Sequence, residues 1–157
     1  MGIGTSVKIY LPRHYQEIDQ IEEITQIATI HGGLRSEVIL VVEDDARVRA
    51  LSTEALEDLG YSVVEAAGPT QALQVLNDGQ KIDLLFTDVV MPDMSGRELV
   101  ERTLQKWPKL KVLYTTGYTR NAIVHNGVLD PGTNLLSKPF SIEQLAAKVR
   151  KILDGEV

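Results

Sequence analysis

Four polar residues, Asp44, Asp88, Thr116 and Lys138, each stand at the end of a short apolar run. The runs are Val38-Ile39-Leu40-Val41-Val42, Leu84-Leu85-Phe86-Thr87, Val112-Leu113-Tyr114-Thr115 and Leu135-Leu136-Ser137. Rows of β-formers separated by segments of helical period predict buried strands of a parallel sheet. Ligands of such sheets bind outside the carboxyl ends of the strands, so the four runs deliver carboxylates, one hydroxyl and one ammonium to a single crevice. Glu43, Asp44 and Asp45 crowd the end of the first run. Carboxylates so close repel one another unless a cation neutralises them, and hard oxygen donors suit Mg²⁺. Asp45 is better read as the cap of the following helix. Glu43 and Asp44 are assigned to metal because Asp88 occupies a corresponding strand end. An Asp in that place can act as a nucleophile and form an aspartyl-phosphate while a cation shields the phosphoryl group. Thr116 can donate a hydrogen bond to a phosphoryl oxygen, and Lys138 can place its ammonium beside the same group.

The elements that must position these side chains alternate strictly from Glu37 onward. Strand 38–43 leads into a helix near 46–59, with Val48, Leu51, Ala55, Leu56 and Leu59 expected on one face and Gly60 ending it. Strand 61–65 is followed by Gly68-Pro69-Thr70, which opens a second helix reaching about Asp78. Strand 83–87 meets the loop Asp88 to Ser95 and then a helix from Gly96 to Trp107, stopped by Pro108. Strand 111–115 precedes a short helix near 119–125, and strand 134–137 with helix 141–153 closes the pattern. Five βα units of this length make a three-layer α/β sandwich.

Residues 1–36 stand outside that pattern and are taken as a separate segment before the domain 37–157. Val7, Ile9 and Leu11 alternate with Lys8 and Tyr10, the period of one half-buried strand. Residues 16–30 carry Ile18, Ile21, Ile24 and Ile27 spaced in threes, which makes a weak amphipathic helix or a linker broken by His31-Gly32-Gly33. A lone strand exposes unpaired edges, so this segment is expected to be poorly packed or to pair with another molecule.

Composition narrows the function classes. The 157 residues hold one ordinary domain and an appendage, with 43% hydrophobic residues for a core. A net charge of −6 and a pI near 5.1 leave no basic footprint for nucleic acid. There is no cysteine, which excludes disulfides, thiolate metal sites and thiol nucleophiles and is compatible with a reducing cytoplasm. Any metal must be oxygen-ligated. No apolar run reaches the roughly 20 residues of a membrane span, and no signal peptide is evident.

Val41-Val42-Glu43-Asp44-Asp45, Asp88 with Met91-Pro92 and Gly96, Thr115-Thr116-Gly117 and Lys138-Pro139-Phe140 resemble the receiver domain of two-component response regulators, in order and in separation. The resemblance covers about residues 37–154. It implies a doubly wound, flavodoxin-like (βα)5 fold with a five-stranded parallel sheet in the order 2-1-3-4-5. It implies that Asp88 is the phosphoacceptor, that Glu43, Asp44, Asp88 and the Val90 carbonyl hold Mg²⁺, and that Thr116 and Lys138 sense the phosphoryl group. A cis peptide at Lys138-Pro139 is implied as well, against a background of about one X–Pro bond in twenty. The implied donor is a phosphohistidine on a histidine kinase or a histidine phosphotransfer protein. Such a domain catalyses its own phosphorylation and dephosphorylation and turns over no separate substrate. A homodimer is compatible with the sequence, and a cytoplasmic location is expected.

Leu135 stands where many members of the family carry an aromatic switch, which directs output toward backbone or helix movement. Gly127 and Asp130-Pro131-Gly132 shorten the helix near 119–125. Gly117 leaves room for the phosphoryl group, and Val90 and Tyr118 bring no carboxylate or amide to the water approach, so slow self-dephosphorylation is expected. The stretch Gly2-Ile3-Gly4-Thr5-Ser6-Val7-Lys8-Ile9-Tyr10-Leu11-Pro12 resembles the final glycine box and last strand of a histidine kinase ATP-binding domain, which points to the C-terminal receiver of a hybrid sensor kinase. No effector domain follows Val157 in this sequence, so output by protein contact or phosphate relay is expected. Two other readings compete. A phosphatase of the haloacid dehalogenase type needs an acid/base Asp two residues after the nucleophile, where Val90 stands. A phosphorylation-independent receiver-like interaction module would not need the intact acidic set, Thr116 and Lys138.

Overall fold

The computed structural model describes residues 36–117 and 133–155. Its elements are β1 (Val38–Val42), α1 (Ala46–Asp58), β2 (Ser62–Ala66), α2 (Pro69–Asn77), β3 (Leu84–Asp88), α3 (Gly96–Lys106), β4 (Lys111–Thr116), β5 (Leu135–Ser137) and α4 (Ile142–Asp154). The five strands form one parallel sheet in the order β2-β1-β3-β4-β5, as the resemblance implied. The strand expected over 7–11, the segment 16–30 and the helix expected over 119–125 lie outside the described residues.

Alternate residues of each central strand feed two cores. Ile39, Val41, Leu84, Phe86 and Leu113 pack with Leu56 of α1, with Leu59 at its C-cap, and with Leu145, Val149 and Ile152 of α4. Leu40, Val42, Leu85 and Tyr114 pack with Ala72 and Leu76 of α2 and Leu99 and Val100 of α3. Because successive side chains point to opposite faces, runs without polar interruption require helices on both sides. The result is the expected three-layer sandwich.

Local signals set the helix ends. The Asp45 side chain accepts hydrogen bonds from the Arg47 and Val48 amides, which depresses its carboxyl below the usual range and bears out its reading as a cap. Ser141 and Gln144 form a capping box at the start of α4. One helix face departs from expectation. Leu51 is 67% exposed, whereas Ser52 is buried on the stripe that continues through Leu56 and Leu59. At 3.6 residues per turn, positions 52, 56 and 59 share the sheet-facing side and 51 lies about 100° away.

Gly96 is required by proximity. A Cβ built there would lie 1.9 Å from the Asp88 carbonyl oxygen, while the Gly96 amide donates to the Val89 carbonyl at 3.0 Å. Backbone cannot yield as a flexible side chain does. Gly96→Ala is expected to lower stability by about 1–3 kcal/mol, read as an earlier urea midpoint with unchanged slope.

Candidate functional site

All strands of a parallel sheet end on the same edge, so β1, β3, β4 and β5 bring their last residues together. Val42 of β1 is in register with Thr87 of β3, Asp88 with Thr115 of β4, and Thr116 with Ser137 of β5. Asp88 and Thr116 are the final residues of their strands rather than the first residues beyond them. The Lys138 amide donates to the Thr116 carbonyl at 2.7 Å, which ties the end of β5 to that of β4. The Lys138-Pro139 peptide is cis.

From that anchor the Lys138 ammonium spans two carboxylates. It donates to Glu43 Oε2 at 2.6 Å and to Asp88 Oδ2 at 2.9 Å. The side chains are only 7% (Glu43), 14% (Asp88) and 18% (Lys138) exposed, so the contacts are poorly screened. Burial pushes the Glu43 carboxyl above its ordinary value, outweighing the Lys138 hydrogen bond and charge that lower it. Burial acts to lower the Lys138 ammonium, but its hydrogen bonds to Glu43 and Asp88 together with their charges hold it above its ordinary value. Lysine is therefore the locally bound cation of this edge.

The remaining expected residues take different places. Asp44 is exposed and lines an open depression with Gly68, Pro92 and Asp93. Thr116 is 1% exposed. The Val90 amide donates to Asp88 Oδ1 at 3.3 Å, and Val90 itself is exposed. Among the described residues no three acidic or histidine side chains already stand together as a metal cluster. Their chemistry nevertheless fits a hard divalent ion, because two carboxylates, Glu43 and Asp88, share a single ammonium and every donor is oxygen.

Two supports were not singled out from sequence. Arg49, one turn into α1, donates to the Glu43 carbonyl at 2.6 Å and to the Asp44 carbonyl at 3.5 Å, and pairs with Glu65 at 3.2 Å. It holds the β1–α1 loop from behind. Thr87 Oγ1 donates to the Asp88 carbonyl at 3.0 Å. A guanidinium on the helix after an acidic loop is the signal that could have marked Arg49.

A family model described as the response regulator receiver domain matches residues 39–150. The chain belongs to that family. Sensor kinase CckA of Brucella abortus is 35% identical over an alignment covering 99% of this receiver chain and 17% of the kinase. The response regulator receiver protein CpdR of the same organism is 35% identical over 73% of this chain and 95% of its own length. A crystal structure of the receiver domain from the hybrid histidine kinase CckA superposes with a TM-score of 0.62 at 32% identity, covering 74% of this chain and 98% of that one. This receiver thus spans about a sixth of the length of the kinase it resembles. No helix among the described residues is long and apolar enough to cross a membrane.

The raised Glu43 carboxyl has a consequence for stability. The folded receiver keeps this proton to higher pH than the unfolded chain, so the group's favourable contribution is full below its ordinary 4.5 and declines as pH rises through the folded value. In buffer without divalent ions, the stability of the native protein relative to Glu43→Gln should fall as pH rises above 4.5. Urea midpoints of the two proteins at pH 4.5 and at a series of higher pH values check it; a constant difference would remove the claim.

Proposed function

We propose that this receiver accepts a phosphoryl group from a phosphohistidine onto Asp88. The observation that carries the reading is the Lys138 ammonium shared between Asp88 and Glu43, which places a fixed positive charge beside the candidate acceptor oxygen. In the proposed step an Asp88 carboxylate oxygen forms the new P–O bond as the P–N bond of the donor breaks and its electron pair returns to the imidazole. Lys138 follows charge as it moves to the phosphoryl oxygens and so stabilises the transition state more than the ground state. A divalent ion such as Mg²⁺, held by Glu43, Asp44, Asp88 and the Val90 carbonyl, supplies further charge that shields the incoming group. Arg49 keeps the loop bearing Glu43 and Asp44 in place through its two carbonyl contacts. At Gly117 a Cβ would meet nothing within 4 Å, so room exists above the end of β4. Thr116 then turns its hydroxyl toward the acyl phosphate and biases a pre-existing equilibrium between two surfaces.

The partner class follows from the same edge. Leu51 and Ile142, 67% and 50% exposed, flank a groove between α1 and α4 that includes Pro139 and Phe140 and begins at Lys138. An apolar groove leading to the acceptor suits an amphipathic helix carrying the donor histidine, as on a histidine kinase or a histidine phosphotransfer protein. We assign residues 37–157 to the receiver and 1–36 to the end of a kinase ATP-binding domain plus linker. The sensor kinase alignment supports that division by covering 99% of the chain where CpdR covers 73%. The reading places the domain in the cytoplasm, without direct nucleic-acid binding.

Labelling with acetyl phosphate tests the acceptor. Asp88→Asn should reduce incorporation to background, and chelation of divalent ions should do the same to the native protein; full stoichiometry on the Asn variant would overturn the assignment. The phosphorylated native protein should lose its label over minutes or longer, since Val90 offers no polar group to orient water. Decay within seconds would contradict that expectation.

A further inference from the structure

The opposite pole of the sheet carries a second charged feature that phosphoryl transfer does not use. A pocket there is lined by Lys81, Lys106, Lys109 and Lys111, with Ile82, Trp107 and Leu110 supplying an apolar floor. Lys106 lies over the Trp107 ring, 4.8 Å from its centroid. Two carboxylates also line the pocket, and both are engaged: Asp83 pairs with Lys81 at 3.1 Å and Glu37 pairs with Arg150 at 2.7 Å. Lys106, Lys109 and Lys111 have no carboxylate partner among the described residues. In a chain of net charge −6 this concentration of positive charge is the exception.

We propose that the occupant of this pocket is the acidic stretch 16–27 of the same chain. Three observations favour it over other anions. Residues 16–30 contain Glu17, Asp19, Glu22 and Glu23 and no lysine or arginine, which complements three ammonium groups that meet no carboxylate among the described residues, Lys106 donating to Asn77 Oδ1 and Lys111 to the Leu153 carbonyl. Ile18, Ile21 and Ile24 are interleaved with those acids, matching a site that joins an apolar floor to a basic rim. Glu37, the residue before β1, itself lines the pocket, so the chain enters the domain at its edge. The ten residues from Ile27 to Glu37 can span up to roughly 33 Å, ample to return across one end of a domain of this size. Seating this stretch fastens the receiver to whatever precedes it and restricts the directions in which the acceptor edge can face. The inference does not rest on phosphoryl transfer.

Trp107 is the single tryptophan of the chain, so its fluorescence reads the pocket directly. In the full chain, acrylamide quenching of Trp107 should rise on the order of twofold when the stretch is neutralised as E17Q/D19N/E22Q/E23Q, and should rise similarly for the native protein in about 0.5 M NaCl. Reversal of the pocket charge in K106E/K109E should also expose Trp107, and addition of E17K/E22K should restore protection. Equal quenching of native and neutralised chains at low salt would overturn the proposal. Protection that disappears on dilution would overturn it as well, because the stretch would then come from a second copy.

Discussion

Two poorly exposed carboxylates, Glu43 and Asp88, meet at the edge of a sheet from the adjacent strands β1 and β3, and the fold has to supply positive charge there. The constraint is geometric as much as electrostatic. Lys138 follows β5, and β4 separates β5 from β3, so its side chain must cross two inter-strand steps of about 4.8 Å each. It crosses beyond the end of β4, whose last residue is Thr116. The 2.7 Å hydrogen bond from the Lys138 amide to the Thr116 carbonyl sets the starting point of that reach. The β4 and β5 ends are thereby joined through Lys138 to the carboxylate of Asp88. A change of charge at Asp88 alters the partner for which Lys138 is held, and Lys138 shares a backbone hydrogen bond with the candidate switch residue.

Neighbours in sequence meet different fates on this edge. Glu43 is buried against Lys138 and its carboxyl is pushed up, Asp44 faces the open depression, and Asp45 turns back to cap α1 and is held down by two amides. Three adjacent acids thus divide into a buried group, an exposed one and a structural one. Their separation depends on Arg49, whose guanidinium gathers the Glu43 and Asp44 carbonyls and fixes the turn between strand and helix. Behind Asp88 the close approach of Gly96 plays the matching role, bringing the start of α3 against the Asp88 carbonyl.

The two poles of the sheet are electrostatically unlike. The carboxyl ends of the strands hold the acidic set, while the opposite end carries lysines around Trp107. The helical faces between them are formed mainly by apolar burial, with α1 and α4 closing one core and α2 and α3 the other. Two exposed apolar side chains, Leu51 and Ile142, interrupt that economy beside the groove leading to Lys138.

Much of this was legible in the chain itself. Unbroken β-rich runs announced a sheet covered on both faces, Gly60 and Pro108 marked element ends, and Asp45 was recognisable as a cap, because these signals act within a few residues of where they stand. The polar residues closing each run were also visible, and a parallel sheet guarantees that such residues share an edge. Tertiary structure alone decided which of them touch. Register and strand order are non-local, so the Lys138 contacts to Glu43 and Asp88, the support from Arg49 and the need for glycine at 96 emerge only when distant segments pack. The exposure of Leu51 has the same origin: helical period marks it as near the apolar face, but the direction from which α1 meets the sheet selects Ser52 for burial instead.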